Sequence, residues 1–306
     1  MKILKNILFF IFLLIIICIL TVSFISLRRL IFRSDPLVKG EPVSVHAERF
    51  RERLIKDYNA EEVKFDTTDD LKLSGLLIRK KEARGNVLLC HGFQRTKEFM
   101  KLFMKNFDNY NIFMFDFRGH GQSDGYITTL GLSEACDVIS AAKFFRNTVD
   151  LQKKLPFVIL GLSMGGSASL RAAFLRPDLC DALILDSSFK DLDGAIDAAF
   201  TYHSGLPNFP FVFFIRLMAK YFYDCDVSKM KPIKLIENVK TPILFIHSST
   251  DTIVPTEHSL ELYSKSFISG NKAKIWIAPP VFHGTVERHY PNEYKKKVQS
   301  FLNKIL

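Results

Sequence analysis

Short, uninterrupted apolar runs alternate with helix-length segments from Val63 onwards, and this alternation constrains the fold more than any other feature. Six of these runs end in turn-forming residues: NVLLCHG (86–92), NIFMFDFRGHG (111–121), PFVILGLS (156–163), DALILDSS (181–188), TPILFIHSS (241–249) and KAKIWIAPP (272–280). Continuous apolar strands separated by helices are typical of a parallel sheet that is covered on both faces. The predicted fold is therefore α/β, with a mostly parallel sheet and helices on both faces. LKLSGLLIRK (71–80) is expected to form an edge strand.

The length and the cysteines favour one large, reduced domain. At 306 residues with 48% apolar side chains, the chain can bury a sizeable core. Its five cysteines include no C-x-x-C pair and no zinc-ligand spacing, and an odd number argues against a disulfide framework. The phosphate, dinucleotide and zinc-protease motifs are also absent, so we expect no cofactor and no metal.

The N-terminus contains a candidate membrane anchor. Residues 7–27, ILFFIFLLIIICILTVSFISL, carry no charge over 21 residues. At ~1.5 Å per residue, this run is long enough to cross a hydrocarbon core of ~30 Å. The sequence predicts an uncleaved single-pass anchor over residues 1–33 that contacts the bilayer through residues 7–27. A cleaved signal peptide is the alternative, with a weak small-residue site at Thr21–Ser23.

The charge distribution agrees with a membrane location and not with a nucleic-acid partner. The net charge is +10, and residues 1–59 carry ten Lys and Arg against five Asp and Glu. Basic residues are not interleaved with aromatic ones as a nucleic-acid groove requires. Residues 34–59 are predicted to be a basic linker with a surface helix at 46–58, and residues 60–306 the main domain. Charges on both sides of the anchor leave its orientation open. Deleting residues 1–33 is expected to leave a folded domain.

One glycine-rich turn predicts a nucleophile. Gly161-Leu162-Ser163-Met164-Gly165 fits G-x-S-x-G and lies between a predicted strand and a predicted helix. Side chains at the two glycine positions would collide with neighbouring backbone on the sharp turn that exposes such a serine. Ser163 is therefore the predicted nucleophile, and the backbone amide of Met164 is a predicted donor to the oxyanion.

A serine nucleophile needs a base and an acid that orients the base. When the serine comes first along the chain and the histidine last, the acid follows a later strand. Asp251 lies just beyond the apolar strand ILFIHS. His283, in the loop after the last strand, is the preferred base over His258 and His289. Asp186, at the end of DALILD, is the rival acid.

The second oxyanion donor is expected in the loop after an earlier strand. Phe93, in the sequence HGF, is the natural partner of the first donor. His91 beside it is expected to be structural. Asp116, Arg118 and His120 are expected to brace loops.

These motifs together resemble a known family. HGF, DFRGHGQSDG, GLSMGG, SSTDTIVP and FHG, in this order over residues 63–306, resemble the α/β-hydrolase superfamily. The chain is most similar to membrane-anchored bacterial hydrolases and to the related mammalian ABHD-type lipid and thioester hydrolases. One departure is Ser248, which stands where the family usually has glycine.

The resemblance also implies a small cap around residues 190–240, since this stretch is too long for a simple connection. Its segment 203–225 is rich in Phe and Tyr. Phe211, Phe213 and Phe214 are predicted to bind an acyl chain. The alternative is that these aromatic residues form the cap's own core.

The predicted function is hydrolysis of acyl esters or thioesters, with lipid-like substrates, by a membrane-anchored enzyme that forms an acyl-serine intermediate. A serine peptidase or amidase with the same machinery is one alternative. A non-catalytic, membrane-tethered binding module is the other, but it would have no need of an intact serine, histidine and aspartate.

Overall fold

The computed structural model describes residues 2–32, 44–150, 152 and 154–306, and within them eight strands form one sheet. The strands are β1 (Glu61–Asp66), β2 (Lys72–Ile78), β3 (Gly85–Cys90), β4 (Tyr110–Phe115), β5 (Phe157–Leu162), β6 (Ala182–Asp186), β7 (Ile243–Ser248) and β8 (Lys274–Ala278). Their order is β1-β2-β4-β3-β5-β6-β7-β8, with β2 antiparallel to both neighbours and all other pairs parallel. The predicted mostly parallel sheet is confirmed.

One strand position differs from the prediction. β2 is not an edge strand, because β1 pairs with it along its full length and β4 pairs on its other side. The sequence EEVKFD of β1 is charged and only Phe65 is fully buried in it, which is the pattern expected of an exposed edge. The charges of β1 interrupt the apolar pattern by which the other strands are recognised in the sequence.

Helices cover both faces of the sheet, as predicted. They are α1 (Lys2–Ile31), α2 (Ser44–Tyr58), α3 (Lys101–Met104), α4 (Glu134–Val149), α5 (Met164–Leu175), α6 (Leu192–Ser204), α7 (Asn208–Tyr223), α8 (Pro232–Leu235), α9 (Glu257–Ile268), α10 (Val286–His289) and α11 (Pro291–Ile305). Alternate strand residues supply two cores: Leu88 packs with residues of α4 and α5, and Leu89 packs with residues of α11. This alternation follows from the two-residue period of a strand.

α6 and α7 lie between β6 and β7, in the stretch where a cap is expected. Their inner faces join the core through Ile196, Phe200, Val212 and Ile215. α7 packs against α1 and α6.

α1 is a candidate membrane span by length and composition, with a mean hydropathy of 3.3 over its most apolar window. A signal sequence would pass the same test. Residues 33–43, which include the start of the predicted linker, lie outside the described residues. The predicted helix at 46–58 is present as α2, and its Leu54 is buried beside the 3₁₀ turn at Lys97–Met100.

The carboxyl-terminal third of α1 belongs to the packed body of the protein. Leu27 and Ile31 are 0% and 1% exposed and lie in the same core as α4, α5 and α7. Phe32 pairs with Ile127 in a β-bridge, and the amide of Thr128 donates to the carbonyl of Ile31 at 2.9 Å. Deleting residues 1–33 therefore removes core side chains, so we no longer expect that deletion to be neutral.

Leu27→Ala is expected to lower the free energy of unfolding by ~2–5 kcal/mol, because it empties a fully buried site. Leu14→Ala is the matched control, since Leu14 lies in the same helix but is 65% exposed. Unfolding of the full chain in detergent micelles measures both variants. Equal effects of the two substitutions would contradict the packing of α1 into the core.

Candidate active site

Ser163 lies at a strained turn between β5 and α5. Its backbone has φ 52° and ψ −115°, a conformation that costs a residue with a side chain free energy. A Cβ on Gly161 would lie 2.5 Å from the Gly165 carbonyl oxygen, and one on Gly165 would lie 2.4 Å from the Cys90 carbonyl oxygen. The two glycines therefore allow three backbone segments to meet beneath the serine.

His283 connects the serine to a carboxylate. Its Nε2 lies 2.9 Å from Ser163 Oγ, and its Nδ1 lies 2.6 Å from Asp251 Oδ2. A carboxylate can only accept at this distance, so Nδ1 carries the proton and Nε2 is free to accept the hydroxyl proton of Ser163. The structure thus brings together all three residues that the sequence singled out.

Asp251 is held as an anion. Its Oδ1 accepts hydrogen bonds from the amides of Ile253 and Val254 at 3.0 and 2.9 Å. Burial alone would raise the pKa of Asp251, but hydrogen bonds from His247 and His283 outweigh burial and hold that pKa well below its usual range. An ionised carboxylate is what an imidazolium at His283 would need beside it.

The rival acid, Asp186, has other partners. Its carboxylate accepts hydrogen bonds from Ser187 Oγ at 2.9 Å and from Tyr294 Oη at 3.0 Å. Burial raises the pKa of Asp186 to about 6, although both hydrogen bonds oppose that rise. Its backbone carbonyl instead accepts from the amide of Ser163 at 2.7 Å, so Asp186 supports the turn of the serine.

His247 is a contact of the acid that the sequence analysis did not identify. It is fully buried, and its Nε2 lies 2.8 Å from the Val254 carbonyl oxygen and 3.2 Å from Asp251 Oδ2. Both neighbours are acceptors, so Nε2 carries the proton, and Nδ1 accepts from Ser259 Oγ at 2.7 Å. The sequence feature that could have identified His247 is its position at the end of an apolar strand, four residues before Asp251.

Ser248, the residue that departs from the resembled family, links the two loops of the site. Its Oγ donates to the Val281 carbonyl oxygen at 2.7 Å and accepts from the Val281 amide at 3.0 Å. Val281 is two residues before His283. The hydroxyl therefore ties the strand that precedes the acid to the loop that carries the histidine.

The two predicted oxyanion donors lie on either side of the serine. Phe93 follows Gly92, on which a Cβ would lie 3.5 Å from Ser163 Cβ, so this loop approaches the serine closely. Met164 is the first residue of α5. In the described part of the chain, neither the Phe93 nor the Met164 amide donates a hydrogen bond in a turn, loop or cap. Their role as donors remains a prediction.

The other polar residues near the site brace loops. The His91 ring accepts from the Phe117 amide at 3.0 Å, and burial lowers the pKa of His91 to about 3. Lys97 Nζ lies 2.6 Å from Asp116 Oδ2 inside the protein. Arg118 contacts the carboxylates of Asp69 and Asp137, and the His120 ring contacts the Arg118 carbonyl oxygen at 2.9 Å.

A cleft of about 330 Å³ opens above the serine and the histidine. Its apolar lining comes from the loop after β3, the 3₁₀ turn and α3 that follow it, the acid loop and the histidine loop. It includes Phe93, Phe99, Leu102, Phe103, Ile253 and Phe282. Arg95, Glu287 and Arg288 also line it. Among the described residues, no group of three His, Cys, Asp or Glu side chains is arranged to hold a metal ion.

The three aromatic residues predicted to bind an acyl chain do not line this cleft. Phe211 stacks on Phe200 with ring centroids 5.8 Å apart, and its carbonyl oxygen accepts from Ser23 Oγ at 3.1 Å. Phe213 is 53% exposed and meets Phe214 edge-on. Their role in binding an acyl chain stays a prediction.

Comparison with known proteins places this arrangement among hydrolases. The model of the family described as serine aminopeptidase, S33, matches residues 81–236. The uncharacterized protein YqkD of Bacillus subtilis is 28% identical over 76% of this chain and 75% of its own length. The uncharacterized membrane protein YNL320W of Saccharomyces cerevisiae is 27% identical over 70% of this chain and 69% of its own. The structure of the Pyrococcus furiosus esterase Pf2001 aligns with a TM-score of 0.66 and 24% identity, over 82% of this chain and 95% of that protein.

Ser248→Ala is expected to lower the free energy of unfolding by ~1–3 kcal/mol, because it leaves the backbone groups of Val281 without their partner. Ser249→Ala is the matched control, since Ser249 is the exposed next residue. Thermal unfolding of the two variants provides the comparison. An unfolding curve for Ser248→Ala that matches the control would show that the hydroxyl does not hold the loops together.

Proposed function

We propose that this chain, which belongs to the serine aminopeptidase (S33) family of α/β-hydrolases, hydrolyses acyl esters or thioesters through an acyl-enzyme at Ser163. The proposal rests on one observation: the hydrogen-bonded chain from Ser163 Oγ through His283 to Asp251, with distances of 2.9 and 2.6 Å. Hydroxyl, imidazole and carboxylate follow one another in the order that acyl transfer requires.

In the first step, Ser163 Oγ attacks the carbonyl carbon of the ester and His283 Nε2 accepts the hydroxyl proton. The negative charge on the carbonyl oxygen is stabilised by the backbone amides of Phe93 and Met164. His283 then gives the proton to the leaving alcohol or thiol. A water molecule, activated by the same imidazole, releases the acid and restores the serine.

The charges at the cleft favour an ester over the free amine of an aminopeptidase substrate. Arg95 and Arg288 are exposed at its rim, and both would repel an ammonium group. Glu287 also lines the cleft, but it is almost fully buried and its Oε1 pairs with Lys105 Nζ at 3.1 Å. The cleft is therefore better suited to an acyl group, or to a substrate with an anionic part, than to a peptide N-terminus.

The helix α1 supports a membrane-anchored enzyme. The uncharged run at residues 7–27 lies within this helix, which is exposed over its first half, as a segment surrounded by lipid would be. The yeast relative is itself named a membrane protein. An enzyme anchored in this way meets substrates that reside in the bilayer, which supports lipid-like esters.

Peptide-bond hydrolysis is the second candidate, and the description of the matched family supports it. The same three residues can cleave an amide. Comparing a p-nitrophenyl ester with an aminoacyl p-nitroanilide separates the two candidates. Faster turnover of the anilide would favour the peptidase.

Ser163→Ala and Asp251→Asn are expected to abolish or severely reduce ester hydrolysis without unfolding the protein. The aspartate substitution should lower kcat by roughly 10⁴-fold, because the imidazole loses the partner that sets its tautomer. Asp186→Asn is the control and should retain most activity. Steady-state kinetics and labelling of Ser163 by a fluorophosphonate measure these effects. A crippled Asp186→Asn beside an active Asp251→Asn would reverse the assignment of the acid.

The value of kcat/KM is expected to rise from acetyl to octanoyl p-nitrophenyl esters. Burial of each CH₂ contributes ~0.8 kcal/mol, so Leu102→Ala in the cleft should reduce the octanoyl-to-acetyl ratio by about threefold or more. Phe214→Ala, outside the cleft, should leave that ratio unchanged. A maximum at acetyl in the wild-type protein would contradict the preference for lipid-like substrates.

A further inference from the structure

The outer face of α7 is mostly apolar, and its exposed Lys220, near the end of the helix, pairs with Asp226 at 3.1 Å. Phe213 (53%), Leu217 (40%) and Tyr221 (71%) recur every four residues and form one exposed stripe along the helix. Phe209 (77%) lies before this stripe, at a kink where the backbone is not helical. The opposite face packs into the core through Val212, Ile215 and Ala219. Residues 204–215, at the start of this stripe, contain no charged side chain.

α7 runs in the same direction as the end of α1 and directly against it. Ser23 Oγ donates to the Phe211 carbonyl oxygen at 3.1 Å, and the rings of Phe32 and Tyr223 are 5.4 Å apart. Ser23 is therefore level with the first turn of α7, and Phe32 is level with its last turn.

The charges that flank the span fix how deep this contact lies. Lys5 and Arg28 are separated by 22 residues without a charge, or about 33 Å of helix, which matches a hydrocarbon core of ~30 Å. Ser23 lies five residues before Arg28, so its contact with Phe211 is ~7 Å inside the core. A core that ended at Ser23 would leave only residues 6–22 in the span, which is at the short end of the roughly 17–25 residues that cross a bilayer.

The same end of α7 adjoins the cleft. Asn208 at its start accepts a hydrogen bond from Thr201 in α6 at 2.9 Å. Tyr202, 49% exposed, lies next along α6, with its ring centroid 6.4 Å from that of Phe282. Phe282 lines the cleft and directly precedes His283.

We propose that the tip formed by Tyr202, Leu206, Phe209 and Phe213 inserts into the hydrocarbon of the bilayer leaflet beside α1. The cleft above Ser163 then opens at the membrane surface and receives its acyl substrate from the leaflet. The apolar side chains of this tip gain by leaving water, and residues 204–215 carry no charge that would have to be buried with them. This inference rests on the membrane anchoring in the proposed function.

Fluorescence quenching by brominated lipid tests the insertion directly. Phe213→Trp in the full chain is reconstituted into phosphatidylcholine vesicles whose acyl chains carry bromine. Trp276, the one tryptophan of the chain, is 7% exposed and gives the baseline. Phe12→Trp in the span is the positive reference. Ile268→Trp is the matched negative control, because Ile268 is 80% exposed at the end of α9, which packs on β7 and β8.

We expect bromine to quench Phe213→Trp at least about half as strongly as Phe12→Trp, since both would lie in hydrocarbon. Ile268→Trp should stay at the baseline. If bromine quenches Phe213→Trp no more strongly than Ile268→Trp, the proposal is overturned. The stripe would then be covered by water or by a second copy of the chain.

The measurement needs no turnover, so it can be repeated with Ser163→Ala. Failure of ester hydrolysis would contradict the proposed function and leave the insertion intact. Phe213→Ser provides a second readout. It should lower hydrolysis of a long-chain ester embedded in vesicles by about tenfold relative to a water-soluble acetyl ester, because the cleft loses its contact with the leaflet. An equal loss on both substrates, as from damage to the fold, would count against the proposal.

Discussion

The close approach of three backbone segments beneath Ser163 is the constraint on which the rest of the site depends. Glycine at positions 161 and 165 lets the turn press against the end of β3, while the amide of Ser163 is held by the carbonyl of Asp186 at the end of β6. β3, β5 and β6 are neighbours in the sheet, so the strained conformation is fixed by strand pairing and not by the turn alone. The Ser163 hydroxyl therefore has a fixed position, relative to which His283 and Asp251 can be oriented.

The acid and the base reach that position from β7 and β8, and short polar contacts align their loops. Ser248 joins the two loops through Val281, and His247 closes the acid loop through the Val254 carbonyl. Both side chains come from the last two residues of β7, so one strand end controls the distance from Asp251 to His283. Such contacts determine geometry over tenths of an ångström, which catalysis requires and which hydrophobic packing alone does not supply.

Much of this could be predicted from the sequence, because apolar strand periodicity and the order of loops along the chain are local signals. The sheet, the turn of Ser163 and the convergence of Asp251 and His283 follow from them. The parts that failed depend on long-range packing. An aromatic helix such as α7 reveals that it has buried and exposed faces, but not what covers either face, so the sequence alone could not show that Phe213 lies outside the lining of the cleft. The uncharged run of α1 gives no sign that Leu27 is buried in protein while Leu14 is not.

The contact between Ser23 and Phe211 also orders events during synthesis. The two residues are 188 positions apart, and at ~5–20 residues per second the ribosome needs roughly 10–40 s to make the chain between them. α1 therefore leaves the ribosome long before its partner helix exists, and it has time to enter the membrane first. Under the proposed anchoring, the core closes around a helix that already lies in lipid, so insertion precedes native folding.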